Sequence, residues 1–161
     1  MLWLVGMIAS GKSTVGDAAA RRIGCDFVDM DRILEDRWGP IARQWSEDGE
    51  AVFRRREAEL VQQLADDGRS KIVSTGGGAV LSQTSVEAMR ASGTVIWLRA
   101  TPETMRQRLS GGPQRPPLAT RAVEELEEER REIYRASADV IIDTDTLAVD
   151  QVVEEVVTTW K

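Results

Sequence analysis

A chain of 161 residues, 42% hydrophobic and 30% charged, suits a single soluble domain large enough to bury a proper core. Its net charge of −6 argues against nonspecific attraction to nucleic acid, so any anionic ligand must be met by a few placed cations. The complete lack of histidine excludes histidine triads, imidazole bases and most catalytic zinc sites, and leaves a carboxylate, a lysine or a tyrosine as general base.

The first predicted element is the apolar strand Leu2–Val5, far shorter than a membrane span and without a signal-peptide pattern around it. Gly6 to Ser13 then reads G-x-x-x-x-G-K-S, the phosphate-binding loop, and Thr14 extends it into a predicted helix over Lys12–Ile23. Glycines at Gly6 and Gly11 let the backbone curl, so that successive N–H groups from Ala9 and Ser10 onward point at phosphate oxygens. The helix N-terminus favours the same anion. Lys12 bridges the β- and γ-phosphates in such a loop, and the Ser13 hydroxyl ligates magnesium. A glycine-rich turn with an exposed lysine is the bland alternative, but a strand before and a helix after are the context the motif requires. The lone cysteine, Cys25, excludes an internal disulfide and fits a reducing cytoplasm.

A short strand around Phe27–Val28 runs into "DMD". Residues two apart leaving a strand share a side, so Asp29 and Asp31 face one crevice. One acid can then hold a magnesium shell and the other take a hydroxyl proton. Alternatively, Asp31 caps a helix at "RILEDRW". The predicted helix Gly49–Ala65 carries an apolar stripe of Phe53, Leu60, Val61 and Leu64, and Glu57 lies on it. A buried glutamate needs a partner, and Arg54, three residues earlier, holds it at a site wall.

The strand Ile72–Thr75 ends in Gly76, Gly77 and Gly78, either a plain tight turn or a place where a ligand touches backbone. A helix over Ser82–Ala91, a strand over Thr94–Leu98 and a helix over Pro102–Leu109 follow. "SGGPQRPPLAT", Ser110–Thr120, reads as irregular. On the helix Ala119–Tyr134 the stripe is Val123, Leu126, Ile133 and Tyr134, with Arg130 inside it; Glu127 and Arg131 read as a solvated pair. Arg130 is either a stem-buried arginine reaching solvent or, with Arg54, a fork for an anionic second substrate. A strand at Val140–Ile142 and a helix over Val149–Trp160 complete the chain. Strand–helix alternation predicts an α/β fold, a doubly wound parallel sheet.

"GMIASGKST", "DMD", "DGEAVFRRRE", "STGGGAV", "GGPQRPPL" and "ERREIY" resemble, in order and spacing, the shikimate kinase family over nearly the whole chain. The resemblance implies a monomeric, cytoplasmic P-loop kinase with a five-stranded sheet in the order 2-3-1-4-5 and a mobile lid. It would be a single domain over residues 1–161, with a substrate-binding helical part about 31–66 and a lid about 110–120. The implied reaction moves the γ-phosphate of ATP, with Mg2+, to the 3-hydroxyl of shikimate in the chorismate pathway to aromatic amino acids, with no nucleic acid or membrane as partner. By the same resemblance Asp31 holds the ring hydroxyls and assists the nucleophilic one, and Asp29 belongs to the magnesium shell, through water. Arg54 and Arg130 would grip the carboxylate, with Glu57 orienting Arg54 and Gly77, flanked by Gly76 and Gly78, touching the ring. Arg115 would close on the phosphates, Arg108 lie near adenine, and Trp45 and Phe53 stand beside the acceptor, Trp45 where the family usually has phenylalanine. The rival readings are a small kinase for gluconate, a nucleoside monophosphate or a shikimate-like cyclitol, and a nucleotide-binding module without an acceptor.

Overall fold

The computed structural model describes residues 1–110 and 121–160. Its centre is a five-stranded, all-parallel sheet formed by β1 (Leu2–Val5), β2 (Asp26–Asp29), β3 (Lys71–Ser74), β4 (Thr94–Arg99) and β5 (Val140–Asp143), ordered β2-β3-β1-β4-β5. Around it lie α1 (Lys12–Ile23), α2 (Met30–Trp38), α3 (Ile41–Glu47), α4 (Glu50–Asp66), α5 (Gln83–Ser92), α6 (Pro102–Leu109), α7 (Val123–Ser137) and α8 (Val149–Thr159). A single 3-10 turn, Ala79–Leu81, precedes α5.

Alternate strand residues feed two cores, because successive side chains leave a strand on opposite faces. Trp3, Val5, Val73, Val95 and Trp97 pack with residues of α4, α5 and α7 on one face. Leu2, Leu4, Ile72, Ile96 and Leu98 pack with residues of α1 and α8 on the other. The doubly wound expectation and the 2-3-1-4-5 order therefore hold.

Elements come within a few residues of expectation, with differences that have physical causes. The edge strands β2 and β5 are only partly buried, so Asp26, Asp29 and Asp143 extend them beyond their apolar centres. The stretch 30–47, where the sequence suggests a helix only at "RILEDRW", forms two helices, α2 and α3. Gly39, at φ 84, breaks them apart, and Pro40 leads into α3. The helix N-cap there is Asp29 and not Asp31: the Asp29 carboxylate accepts from the Arg32 N–H at 3.3 Å. Asp31 thus sits in the first turn of α2, and the shared-side argument from strand geometry fails for this pair. Glu127 is also not solvated: it is 6% exposed and accepts from the half-exposed Arg131 at 2.8 and 2.5 Å. The first predicted residues of the helix carrying Arg130, 119 and 120, fall outside the described residues, and that helix runs on to Ser137.

Candidate active site

The loop between β1 and α1 is built for an anion. A Cβ on Gly6 would lie 2.6 Å from the Leu98 carbonyl, so only glycine lets the chain leave β1 this close to β4. Ala9 adopts a left-handed φ of 59, a strained conformation of the kind that gathers at ligand-holding loops. Helices α2, α5 and α6 are capped by Asp29, Ser82 and Thr101 side chains, whereas α1 starts behind Gly11 with no side-chain cap and no acid in its first turn. Its first N–H groups are therefore presented to whatever anion enters the loop. Lys12 is buried against this loop and donates to the Gly6 and Met7 carbonyls, both at 2.9 Å.

Beside the loop three hard oxygens meet. The Ser13 hydroxyl donates to the Asp29 carboxylate at 2.5 Å and lies 3.3 Å from the Ser74 hydroxyl, at the carboxyl end of β3. Among the described residues no group of three histidine, cysteine or carboxylate side chains stands ready to cage a metal.

From the loop a cavity of about 240 Å³ runs toward α3, α4 and α7. Thr14, Lys12 and Ser13 line one part of it, and Asp31, Trp45, Phe53, Arg54, Glu57 and Arg130 another. Gly76, Gly77 and Gly78 pass between. Gly76 and Gly78 are required by proximity. A Cβ on Gly78 would stand 1.9 Å from an Arg54 guanidinium nitrogen, and one on Gly76 2.2 Å from Glu57 Oε1 and 3.2 Å from Asp31 Oδ1. Arg54 donates to Glu57 at 2.7 Å and has Glu50 at 3.5 Å. Its guanidinium lies 5.3 Å from the Trp45 ring centre and 5.5 Å from that of Phe53, close enough for cation–π attraction. Glu57 is 2% exposed, and burial pushes its carboxyl pKa up against the opposing pull of Arg54. Arg130, 6% exposed, donates to the Gly77 carbonyl at 3.3 Å.

Four side chains on this one cavity keep a buried polar atom without a hydrogen-bond partner among the described residues: Trp45 Nε1, Arg54 Nε, Glu57 Oε1 and Arg130 Nε. Leaving such a group unmet costs about 1–3 kcal/mol each, so their convergence marks a place where a polar ligand completes the bonding.

The predicted residues of the loop, Asp31, α4, the triple glycine and α7 therefore converge, and Asp29 reaches them through its bond to Ser13. Arg108 stands apart from the cavity lining, with its guanidinium donating to the Ala9 carbonyl at 3.1 Å and to Thr144 at 3.1 and 3.0 Å. Arg115 and most of the expected lid, residues 111–120, lie outside the described residues. Sequence reasoning passed over Ile41, Ser74, Thr75 and Thr144. Ser74 was within its reach, since ligands of open α/β sheets gather at the carboxyl ends of strands. The Tyr134 hydroxyl, counted only as part of an apolar stripe, donates to the Gly77 carbonyl.

The family model described as shikimate kinase matches residues 8–161. A shikimate kinase of Symbiobacterium thermophilum is 42% identical over 160 residues, spanning 95% of this chain and 91% of that protein. One of Moorella thermoacetica is 38% identical over 163 residues, spanning 98% and 94%. The solved shikimate kinase from Acinetobacter baumannii in complex with shikimate superposes with a TM-score of 0.91 at 28% identity, over 98% of this chain and 90% of that one.

Proposed function

The chain belongs to the shikimate kinase family, and from that premise we propose that it transfers the γ-phosphoryl group of ATP to the 3-hydroxyl of shikimate, a step of the chorismate pathway. The observation that carries this reading is one cavity joining a phosphate loop to the half-buried Arg54 and the buried Arg130, whose Nε atoms have no hydrogen-bond partner among the described residues, Arg54 Nε having only the longer ion pair to Glu50 at 3.5 Å. A hydroxylated ring carrying a carboxylate has the chemistry to meet both ends.

In this reading ATP lies with its phosphates against the amides of Gly11 to Thr14 and the Lys12 ammonium. Lys12, already buried among loop carbonyls, turns its charge to the β- and γ-oxygens, and fixed dipoles there stabilise charge that spreads in transfer. Arg54 and Arg130 hold the acceptor carboxylate, Glu57 orients Arg54 through their 2.7 Å bond, and Trp45 and Phe53 wall the ring. The helical part near residues 31–66 thus forms the acceptor side. Asp31, within it, receives the acceptor hydroxyl and orients or takes its proton. A carboxylate is a weak base, so placing the nucleophile in line is its larger share. We assign to Arg115 a closing contact on the phosphates and to Arg108 a place near adenine.

Magnesium fits the oxygen set at Ser13, Asp29 and Ser74. Ser13 would hold it directly and Asp29 through water. When bound, it would neutralise charge on the β- and γ-phosphates. No helix among the described residues is long and apolar enough to cross a membrane. The free thiol of Cys25 suits the cytoplasm, where we place a monomeric enzyme.

A coupled ADP-release assay tests the reading. Shikimate should stimulate ADP formation by orders of magnitude, whereas gluconate, nucleoside monophosphates and a cyclitol lacking the carboxylate should not. Equal stimulation by the cyclitol removes the role of the two arginines.

A further inference from the structure

Arg130 and Tyr134 stand four residues apart on α7 and so on one face of it. Both reach the same atom. The Tyr134 hydroxyl donates to the Gly77 carbonyl at 2.5 Å, and Arg130 donates to it at 3.3 Å. The Tyr134 ring is buried and stacked on Trp97 of β4, with centroids 5.5 Å apart and planes 17° apart, so the hydroxyl has one available position. Gly76 and Gly78 give their carbonyls to the Ala79 and Leu81 amides, which leaves Gly77 as the link of the triple glycine that is held from outside its own turn.

Resting on the functional reading above, we propose that Tyr134 is a positioning residue for the acceptor site: its hydroxyl fixes the Gly77–Gly78 peptide and leaves Arg130 available to the acceptor. Two consequences follow from the geometry. The peptide unit is planar and trans, so fixing the Gly77 carbonyl fixes the direction of the Gly78 N–H in the cavity wall. The carbonyl also stays satisfied when Arg130 exchanges its long bond for an acceptor carboxylate. Without Tyr134, Arg130 is the one donor to this half-buried carbonyl among the described residues and must release it in order to bind substrate. Burial pushes the Tyr134 pKa up, so the hydroxyl remains a donor throughout the working range of pH.

Tyr134→Phe removes the donor and keeps the ring on Trp97. Its KM for shikimate should rise about tenfold, the worth of one net hydrogen bond, with kcat and the KM for ATP within about twofold of wild type. In the protein without substrate, the ¹⁵N resonance of the Gly78 amide, which shares its peptide with the Gly77 carbonyl, should move. A merely structural role would lower the unfolding midpoint and leave both readouts in place. The inference is overturned if the Gly78 resonance stays put, or if it moves while the shikimate KM does not. Should Tyr134→Phe not fold, the wild-type hydroxyl decides, because the chain holds a single tyrosine. A slowly exchanging hydroxyl proton is required, and a freely exchanging one refutes the bond. Wild-type protein inactive on shikimate would instead refute the functional reading, and the Gly78 resonance alone would then decide the loop anchor.

Discussion

Gly78→Ala puts the acceptor grip under the sharpest test. The added methyl would stand 1.9, 2.3 and 2.5 Å from the three end atoms of the Arg54 guanidinium, well inside contact distance. Arg54 must yield, and it is not loose: Glu57 holds it at 2.7 Å, and Trp45 and Phe53 lie against it. Overpacking of this kind costs about 1–3 kcal/mol, or about 5- to 150-fold in binding, and here it falls on a guanidinium assigned to the carboxylate. The shikimate KM in a coupled ADP-release assay should therefore rise within that range, with the KM for ATP little changed. Gly77→Ala is the internal control. A methyl there meets no protein atom nearer than 3.6 Å, and Arg54 is not among its nearest neighbours, so its shikimate KM should rise less than that of Gly78→Ala. Equal effects of the two substitutions, or a normal KM in Gly78→Ala, would refute the placement of Arg54 against the acceptor.

Lys12→Ala should lower turnover by orders of magnitude and leave the circular dichroism spectrum unchanged; near-normal activity in that folded variant sinks the phosphate-loop assignment. Burial raises the Glu57 carboxyl above its ordinary 4.5, so this group favours the folded state below that value and withdraws the benefit as pH rises through its folded-state pKa. The unfolding midpoint of wild type relative to Glu57→Gln should accordingly fall as pH is raised from about 4.5 to 8, and a flat or rising difference contradicts it. Trp45→Phe keeps an aromatic wall, so activity should persist while the shikimate-dependent tryptophan emission change shrinks. An undiminished change would assign that signal to Trp3, Trp38, Trp97 or Trp160 and move Trp45 away from the ligand.

The central strands and the phosphate loop were legible because both faces of β1, β3 and β4 are covered, which forces continuous apolar runs. Edge strands β2 and β5 lack that pressure and show only short apolar centres. Helix α3, seven residues long, left no period to read, and the buried side of Gln44, which donates to the Leu34 and Gly39 carbonyls, is polar. Arg54 and Glu57 stood out because charges on an apolar stripe demand partners. Tyr134 did not, since a tyrosine on such a stripe is satisfied by packing alone until its hydroxyl is given an acceptor from 57 residues away. Thr144 was hidden for the same reason: its bonds to Arg108 and to the Arg99 carbonyl join residues 36 and 45 positions apart and leave no local pattern.

An acidic chain that binds anions needs its positive field to be local. Screening at physiological ionic strength acts over about 8 Å, so the exposed carboxylates that make up the net charge of −6 contribute little inside the cleft. What counts there is how the nearby acids are spent. Asp143 accepts two hydrogen bonds from the Arg99 guanidinium, at 2.5 and 2.7 Å, and Asp145 accepts from the Thr101 amide at 2.9 Å. Glu127 is bound to Arg131, which keeps it from its buried neighbour Arg130 on α7. Arg54 is met by the exposed Glu50 at 3.5 Å and by the buried Glu57 at 2.7 Å, and burial pushes the Glu57 carboxyl pKa up. Burial thus works against the ionised form of Glu57 that Arg54 holds. An acceptor carboxylate then competes for the guanidinium against a partner already weakened by its own burial.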